Sequence, residues 1–273
     1  MEKLRLSNTR IQAWQHCHLR YKYCYIDNLV PKEKAEPLQV GDIVHQLIHK
    51  WVIGEFTPDD IANLDEFVKT NYPEDDITQA MSVAIQAATL IQGYLKKYQD
   101  DPLQFISSEI HIEHDLGPCI LVGKVDALAR PEDNKLWRVE HKTTSRVDSY
   151  YLNGLKGGLQ GAIYDYGIEK LFKEPVSGTI YNLLVKTKIP DYHRAYTKCN
   201  RAAIDRMLQT VEGVCRDIQR GNFYPSSNCF SYQRECDYLH LCNYDSPEVR
   251  EAFYQQRRKE VINDDTETKT NKE

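Results

Sequence analysis

The 273-residue chain contains no run approaching the roughly 18 apolar residues of a membrane span, and Met1-Glu2-Lys3-Leu4-Arg5-Leu6 lacks the apolar stretch of a secretory leader. A soluble cytoplasmic protein that does not engage a membrane is therefore expected. No two of its eight cysteines form a Cys-x-x-Cys knuckle, which argues against a zinc ribbon, and no internal repeat points to a solenoid. Net positive charge is also missing: 35 Lys and Arg stand against 40 Asp and Glu, a balance of −5. This would weigh against a nucleic-acid protein if the charge were evenly spread. Between Glu55 and Asp76, however, eight acids face the single base Lys69, so the rest of the chain carries +2. A local basic groove, not the total, is what draws a phosphate backbone, and Arg10, Arg20, Lys22, Lys156, Lys186, Lys188, Arg194 and Arg201 are the candidate donors.

What is present begins with α-type patterning. Ser7 is a candidate N-cap for a helix from about Asn8 to Ile26, on which Ile11, Trp14, Cys17 or His18, and Tyr21 recur at helical spacing and which would contain Cys17. Val40–Gly54 and Thr78–Asp100 predict further helices. Alternation then takes over in 104–115, 119–130 and 135–143, a three-strand meander whose last turn is Pro131-Glu132-Asp133-Asn134. Helical periodicity returns over 150–172, a strand is expected over 177–186 and a helix over 201–220. The class is thus α/β, with a central mixed sheet flanked by helices, an N-terminal helical region and a cysteine-rich C-terminal segment. One domain over residues 1–254 is expected, with a charged, unfolded tail from 255 to 273.

Chemistry-bearing residues concentrate on the strands. Glu140 and Lys142 are two apart and share one face of a strand, while His141 points away. Asp126 closes the preceding strand as Gly123-Lys124-Val125-Asp126 and can join them if the strands pair. Converging carboxylates suit Mg²⁺ or Mn²⁺, and an adjacent lysine can orient or deprotonate a water and offset phosphate charge. Gln160 and Tyr164 follow one helical turn apart. His45 and His49 have the spacing of a zinc-binding helix pair, but Gln46 stands where the metalloprotease motif requires Glu.

In this order the segments Gly41-Asp42-Ile43-Val44-His45, Gly123-x-x-Asp126, Glu140-His141-Lys142 and Gln160-x-x-x-Tyr164 resemble the PD-(D/E)XK nuclease superfamily in its RecB-like branch. The resemblance implies a restriction-endonuclease-like core. It also implies His45, Asp126, Glu140 and the His141 carbonyl as ligands of Mg²⁺ or Mn²⁺, with Lys142 catalytic and Gln160 and Tyr164 contacting substrate or bracing the site. Glu109 sits where many relatives carry an acid, as a supporting partner or an exposed strand residue.

Eight cysteines in a reducing compartment are not expected to form disulfides. Cys229-x6-Cys236-x5-Cys242, with Cys17 or Cys24 as a fourth ligand, reads as a thiolate site for Zn²⁺ or a [4Fe-4S] cluster. Cys119, Cys199 and Cys215 read as buried small apolar residues. The arrangement of one cysteine before the core and three after it resembles the iron-sulfur subgroup of RecB-like nucleases, which includes the AddB nuclease domain and a CRISPR-associated exonuclease family. That likeness, carried by Ser7, Trp14 and the tyrosines after Cys17, implies Cys17 as the fourth ligand of a [4Fe-4S] cluster. Its gap of six residues between Cys229 and Cys236 departs from the shorter spacing of the subgroup. The expected function is a metal-dependent DNA exonuclease acting on single strands or ends in recombination, repair, or phage or CRISPR DNA processing. The alternative is a non-catalytic DNA-end-binding or assembly module that partners a helicase or recombinase.

Overall fold

The computed structural model describes residues 3–32, 36–57, 60–61, 77–156, 158–231 and 234–257. Most of the acidic stretch and most of the expected tail lie outside them. The chain divides into two compact units: Met1–Gln12 with Lys34–Asn222, and Ala13–Glu33 with Phe223–Glu273.

The larger unit is built on a mixed six-stranded sheet. Strands β1 (Leu4–Leu6), β3 (Gln104–Asp115), β4 (Cys119–Arg130), β5 (Leu136–Thr144), β6 (Val176–Val185) and β7 (Asp191–Lys198) run in the order β1-β4-β5-β6-β7, with β3 also on β4. β1 with β4 and β5 with β6 are parallel, and the remaining pairs are antiparallel. The mixed α/β class read from the sequence is thus the fold observed. β4 deals unevenly with its neighbours. Its residues Cys119–Leu121 pair with β1, whereas its ladder to β5 covers only Ala127–Ala129. Between these stretches lie Gly123 and Asp126.

One face of the sheet is covered by two helices, α3 (Glu36–Val52) and α4 (Ile77–Lys97). Val40, Ile43, Val44, Leu47 and Ile48 follow an i, i+3, i+4, i+7, i+8 stripe and are all buried, as are Val83, Ala87, Leu90, Ile91 and Tyr94 of α4. They form one cluster with Leu184 and Tyr192 of the sheet. Each larger side chain so buried contributes about 2 kcal/mol. A parallel β5–β6 pair needs a crossover, and α5 (Ser149–Gly154) with α6 (Leu159–Phe172) supplies it. A further helix, α7 (Arg201–Gln219), is capped by the Asn200 side chain and buries Ile204, Met207, Val211, Val214 and Ile218.

In the smaller unit, β2 (Leu29–Pro31) pairs antiparallel with β10 (Tyr254–Gln256). Tyr23, Leu29, Tyr238, Leu241 and Tyr254 form its core. It also contains the short β8 (Phe230–Ser231) and β9 (Arg234–Glu235), and helices α8 (Leu239–Asn243) and α9 (Pro247–Phe253).

Four expectations are corrected. The single helix over Asn8–Ile26 is broken into α1 (Asn8–His16), α2 (His18–Tyr21) and a wider π-type turn over Lys22–Ile26. Cys17 is extended (φ −164°, ψ 122°) and its Sγ caps α2 by accepting the Arg20 N–H at 3.5 Å, so it lies between helices and not within one. The segment 150–172 likewise splits at 155–158, where Gly158 is the extended N-cap of α6. Two strands of the larger sheet were not anticipated, since β1 is only three residues long and the polar edge strand β7 lacks a clean alternation, and neither were the short strands of the smaller unit. Gln255 and Gln256, assigned to the tail, pair with Val30 and Leu29. Among the described residues no helix is long and apolar enough to cross a membrane.

The β6–β7 pair leaves no room at Gly178, where a Cβ would meet the Thr197 backbone and the Lys198 Cα at 2.9 Å. Gly178→Ala is expected to cost about 3 kcal/mol, read as a fall of roughly 6–10 °C in melting temperature.

Candidate active site

The site forms where β4 and β5 part. Beyond the last ladder pair, Ala127 with Val139, the Asp126 side chain replaces the missing strand partner: its Oδ2 accepts the His141 backbone N–H at 2.8 Å. The backbone of Asp126 is held from the other side, because Ser108 Oγ donates to its carbonyl at 3.1 Å and His49 Nδ1 stands 2.8 Å from that Oγ. His49, the residue with no assigned role, thus braces the strand. Glu109 has φ 52°, a conformation uncommon outside glycine and asparagine, and pairs with Lys124 at 2.5 Å and His49 at 3.6 Å.

Alternation along β5 sorts the neighbouring groups. His141 faces α4, where its Nε2 lies 3.3 Å from Tyr94 Oη and 3.2 Å from Asn182 Nδ2. Asn182 Oδ1 in turn accepts from Arg194 Nε at 2.8 Å, and Arg194 forms a paired contact with Asp101 at 2.6 and 2.9 Å. Burial drives the His141 pKa down to about 3, so its imidazole is neutral. His45 on α3 brings Nδ1 to 3.4 Å from Asp126 Oδ2. Burial opposes its protonation, but the hydrogen bond and charge of Asp126 outweigh that and raise its pKa. Burial also opposes ionisation of Asp126, yet His45 and the His141 N–H hold its carboxyl below the usual range.

Glu140 and Lys142 face the other way. Lys142 Nζ is 3.3 Å from Glu140 Oε2. Glu140 is 2% exposed, and burial with the nearby Asp126 charge raises its pKa despite the opposing pull of Lys142 and Arg138. Burial lowers the pKa of Lys142, but the carboxylates of Glu140 and Asp126 more than offset this, so the amine is held charged. Gln160 Nε2 donates to Tyr164 Oη at 3.2 Å, which makes Gln160 the support of the tyrosine.

Two motif glycines acquire a steric reason. A Cβ on Gly123 would lie 2.7 Å from the Tyr164 ring, and one on Gly41 would lie 3.3 Å from Thr143 Oγ1. The first lets the tyrosine lie over β4 beside Asp126, and the second lets α3 bring His45 against β5.

The structure therefore gathers His45, Asp126, Glu140, His141, Lys142, Gln160 and Tyr164 into one region of the larger unit. Two carboxylates, an imidazole and a backbone carbonyl are a donor set suited to a hard divalent cation. As the side chains stand, no three His, Cys, Asp or Glu donors among the described residues are spaced to hold one ion. Asp126 is turned toward His45 and His141, and Glu140 toward Lys142 and Arg138. Sequence reasoning missed Arg138, Asp165, Tyr94 and Asn182. Only Arg138 left a trace, as a charge on the same strand face as Glu140. Of the expected phosphate donors, Arg194 is engaged with Asp101, Arg201 with Glu169, Arg20 with Asp237 and Lys22 with Asp27.

In the smaller unit Cys17, Cys229, Cys236 and Cys242 line one pocket with Leu19, Tyr23 and Tyr238. All eight cysteines are free thiols. Burial works against the Cys17 thiolate, but N–H donors of Arg20 and Ser226 lower its pKa overall. Burial raises Cys236 and Cys242, and neighbouring thiols add to both. Cys24 is turned elsewhere, with Arg257 Nη2 at 2.9 Å from its Sγ. Cys119 and Cys215 are buried in the larger unit, and Cys199 is partly buried.

No curated protein matches the chain. A crystal structure described as a "putative exonuclease" from Eubacterium rectale superposes with a TM-score of 0.58 at 15% identity, covering 89% of this chain and 88% of that one, and shares its fold. The crystal structure of SSO0001 overlaps at a TM-score of 0.30 and 14% identity, over 66% of this chain and 84% of that one. The model of the PD-(D/E)XK nuclease superfamily matches residues 5–243, most of the larger unit and part of the smaller one, and the chain belongs to that superfamily.

Proposed function

We propose that this protein is a Mg²⁺- or Mn²⁺-dependent DNA exonuclease of the RecB-like branch that hydrolyses phosphodiester bonds of single strands or frayed ends. The observation that carries this reading is the charged group at the β4–β5 fork: Asp126, Glu140 and Lys142 all present, buried or half-buried, and within reach of one another. A non-catalytic end-binding module has no need of all three. The exonuclease description of the structural neighbour supports the choice of mode.

A divalent cation held by Asp126, Glu140, His45 and the His141 carbonyl would supply Lewis-acid polarisation of the scissile phosphate. Lys142 is held as an ammonium, so its part is to donate hydrogen bonds to the attacking water and to a phosphate oxygen, offsetting charge as the water oxygen bonds to phosphorus, the scissile P–O bond breaks with its electron pair going to the leaving nucleotide oxygen, and the water's proton passes to that oxygen through solvent. Glu140 keeps Lys142 aimed from 3.3 Å. Tyr164, propped by Gln160, borders the same space and fixes the wall against which a nucleotide would rest.

Cys17, Cys229, Cys236 and Cys242 would hold a [4Fe-4S] cluster; four thiols around one pocket are the donor set that such a cluster takes. Ligation would join positions 212 residues apart in sequence, removing much chain entropy from the unfolded state, so the cluster's role is structural. Partners in recombination or repair, such as a helicase, fit this reading.

Labelled single-stranded DNA should be degraded with Mn²⁺ and spared with EDTA, and Lys142→Ala should lower the rate at least a hundredfold; equal degradation by both proteins refutes the site. Gly123→Ala should displace the Tyr164 ring and lower the rate at least tenfold while leaving the circular dichroism spectrum unchanged. Anaerobically purified wild type should be brown, with about four iron atoms per chain, and Cys236→Ala colourless and poorly soluble. Zinc in place of iron, or a stable brown Cys236→Ala, would overturn the cluster assignment.

A further inference from the structure

Arg138 is 1% exposed and heads the largest fully buried side chains of the protein. Burying a guanidinium costs several kcal/mol before any partner is counted, so its surroundings should explain it. Its Nε donates to Asp165 Oδ1 at 2.6 Å, Nη1 to Glu140 Oε1 at 3.1 Å, and Nη2 to the Gly161 carbonyl at 3.4 Å and to Thr179 Oγ1. The guanidinium carbon also lies 5.4 Å from the Tyr164 ring centroid. Four of the five N–H donors are thereby accounted for.

These partners come from three elements. Glu140 is on β5, Thr179 on β6, and Gly161, Tyr164 and Asp165 on α6. If neutralising one buried charge were the whole purpose, the bond to Asp165 would suffice. The further contact to Glu140 reaches the carboxylate at the fork. It ties down Oε1 and leaves Oε2 to Lys142 at 3.3 Å, so the two oxygens have separate tasks and the carboxylate cannot rotate. The same planar fork anchors α6 at Gly161 and Asp165, on either side of Tyr164. An ammonium could not reproduce this, because a lysine presents a single point charge in place of divergent coplanar donors.

We propose that Arg138, backed by Asp165, is a positioning residue that restricts the Glu140 carboxylate beside Lys142 and ties it to the Gln160–Tyr164 helix. The inference rests on the nuclease reading above and goes beyond it in assigning a residue outside every motif of the family resemblance. Arg138 touches neither substrate nor cation; it acts through Glu140.

The test measures Mn²⁺ affinity by electron paramagnetic resonance of the purified full chain, together with kcat and KM on single-stranded DNA and thermal melting, for wild type, Arg138→Lys, Asp165→Asn and Lys142→Ala. Folded Arg138→Lys should bind Mn²⁺ at least tenfold more weakly and lose at least tenfold in kcat, with KM for DNA within twofold of wild type. Asp165→Asn keeps an acceptor for Arg138 and should fold where Arg138→Lys does not; it should weaken Mn²⁺ binding two- to fivefold. Wild-type Mn²⁺ affinity in folded Arg138→Lys, or in Asp165→Asn, overturns the proposal. With cleavage by wild type and none by Lys142→Ala, such a result leaves the nuclease reading standing. A wild type that neither binds Mn²⁺ nor cleaves removes that reading, and the inference falls with it.

Discussion

The bond from the His141 backbone N–H to the Asp126 carboxylate is the constraint around which the larger unit is organised. Where β5 leaves β4, a sheet donor in a buried region would lose its acceptor, and an unsatisfied group of this kind costs about 1–3 kcal/mol. Asp126 fills the vacancy. The carboxylate that completes the sheet is also the one placed between the strands, and its orientation is set by the fold. Gly123 lies on the stretch of β4 that neither β1 nor β5 pairs with, and the missing side chain admits the Tyr164 ring. Gly41 performs the corresponding service on the opposite face, letting α3 approach Thr143 and present His45. Backbone pairing, helix approach and site geometry are consequences of one divergence of strands.

The two faces of β5 are kept chemically distinct by strand alternation. Toward α4 lies a neutral imidazole, satisfied by Tyr94 and Asn182 and backed by the Arg194–Asp101 pair. Toward α6 lies a charged chain running Lys142, Glu140, Arg138, Asp165, in which each acid meets a base. Electrostatic interactions are strong at such depth and leaving any member unpaired is costly, so the chain is rigid or it fails.

The smaller unit has a different economy of forces. Among the described residues its core has five buried side chains, three of them tyrosines, each with its hydroxyl satisfied by a backbone carbonyl: Tyr23 by Leu241, Tyr238 by Leu29 and Tyr254 by Asp237. A core so small buries little apolar surface and supplies only about 3–5 kcal/mol. Cys17, Cys229, Cys236 and Cys242 line one pocket beside it. Cys17 could take its position there only by leaving the helical path, which is why periodicity, a measure of side-chain spacing alone, ran a helix through it.

Much of the site was legible before any fold was known. The three-strand meander, the shared face of Glu140 and Lys142, and the one-turn spacing of Gln160 and Tyr164 are local consequences of a two-residue and a 3.6-residue period. The same logic failed at β1, too short to show a pattern, and at β7, where an edge strand keeps polar residues on both faces. Asp165, Tyr94 and Asn182 escaped because their partners lie 27 to 88 residues away, and Arg138, although only two residues from Glu140, is held in place by Asp165 and Thr179, which no local period encodes. The sequence by itself determined the longer strands and helices, which residues share a strand face, and the identities of the carboxylates, lysine and cysteines. Only the tertiary structure decided that β4 and β5 part at Asp126, that Cys17 stands between two helices, and that a buried guanidinium binds Glu140 to α6. Strand divergence and burial are set by packing between segments distant in the chain, and such packing has no signature within any one of them.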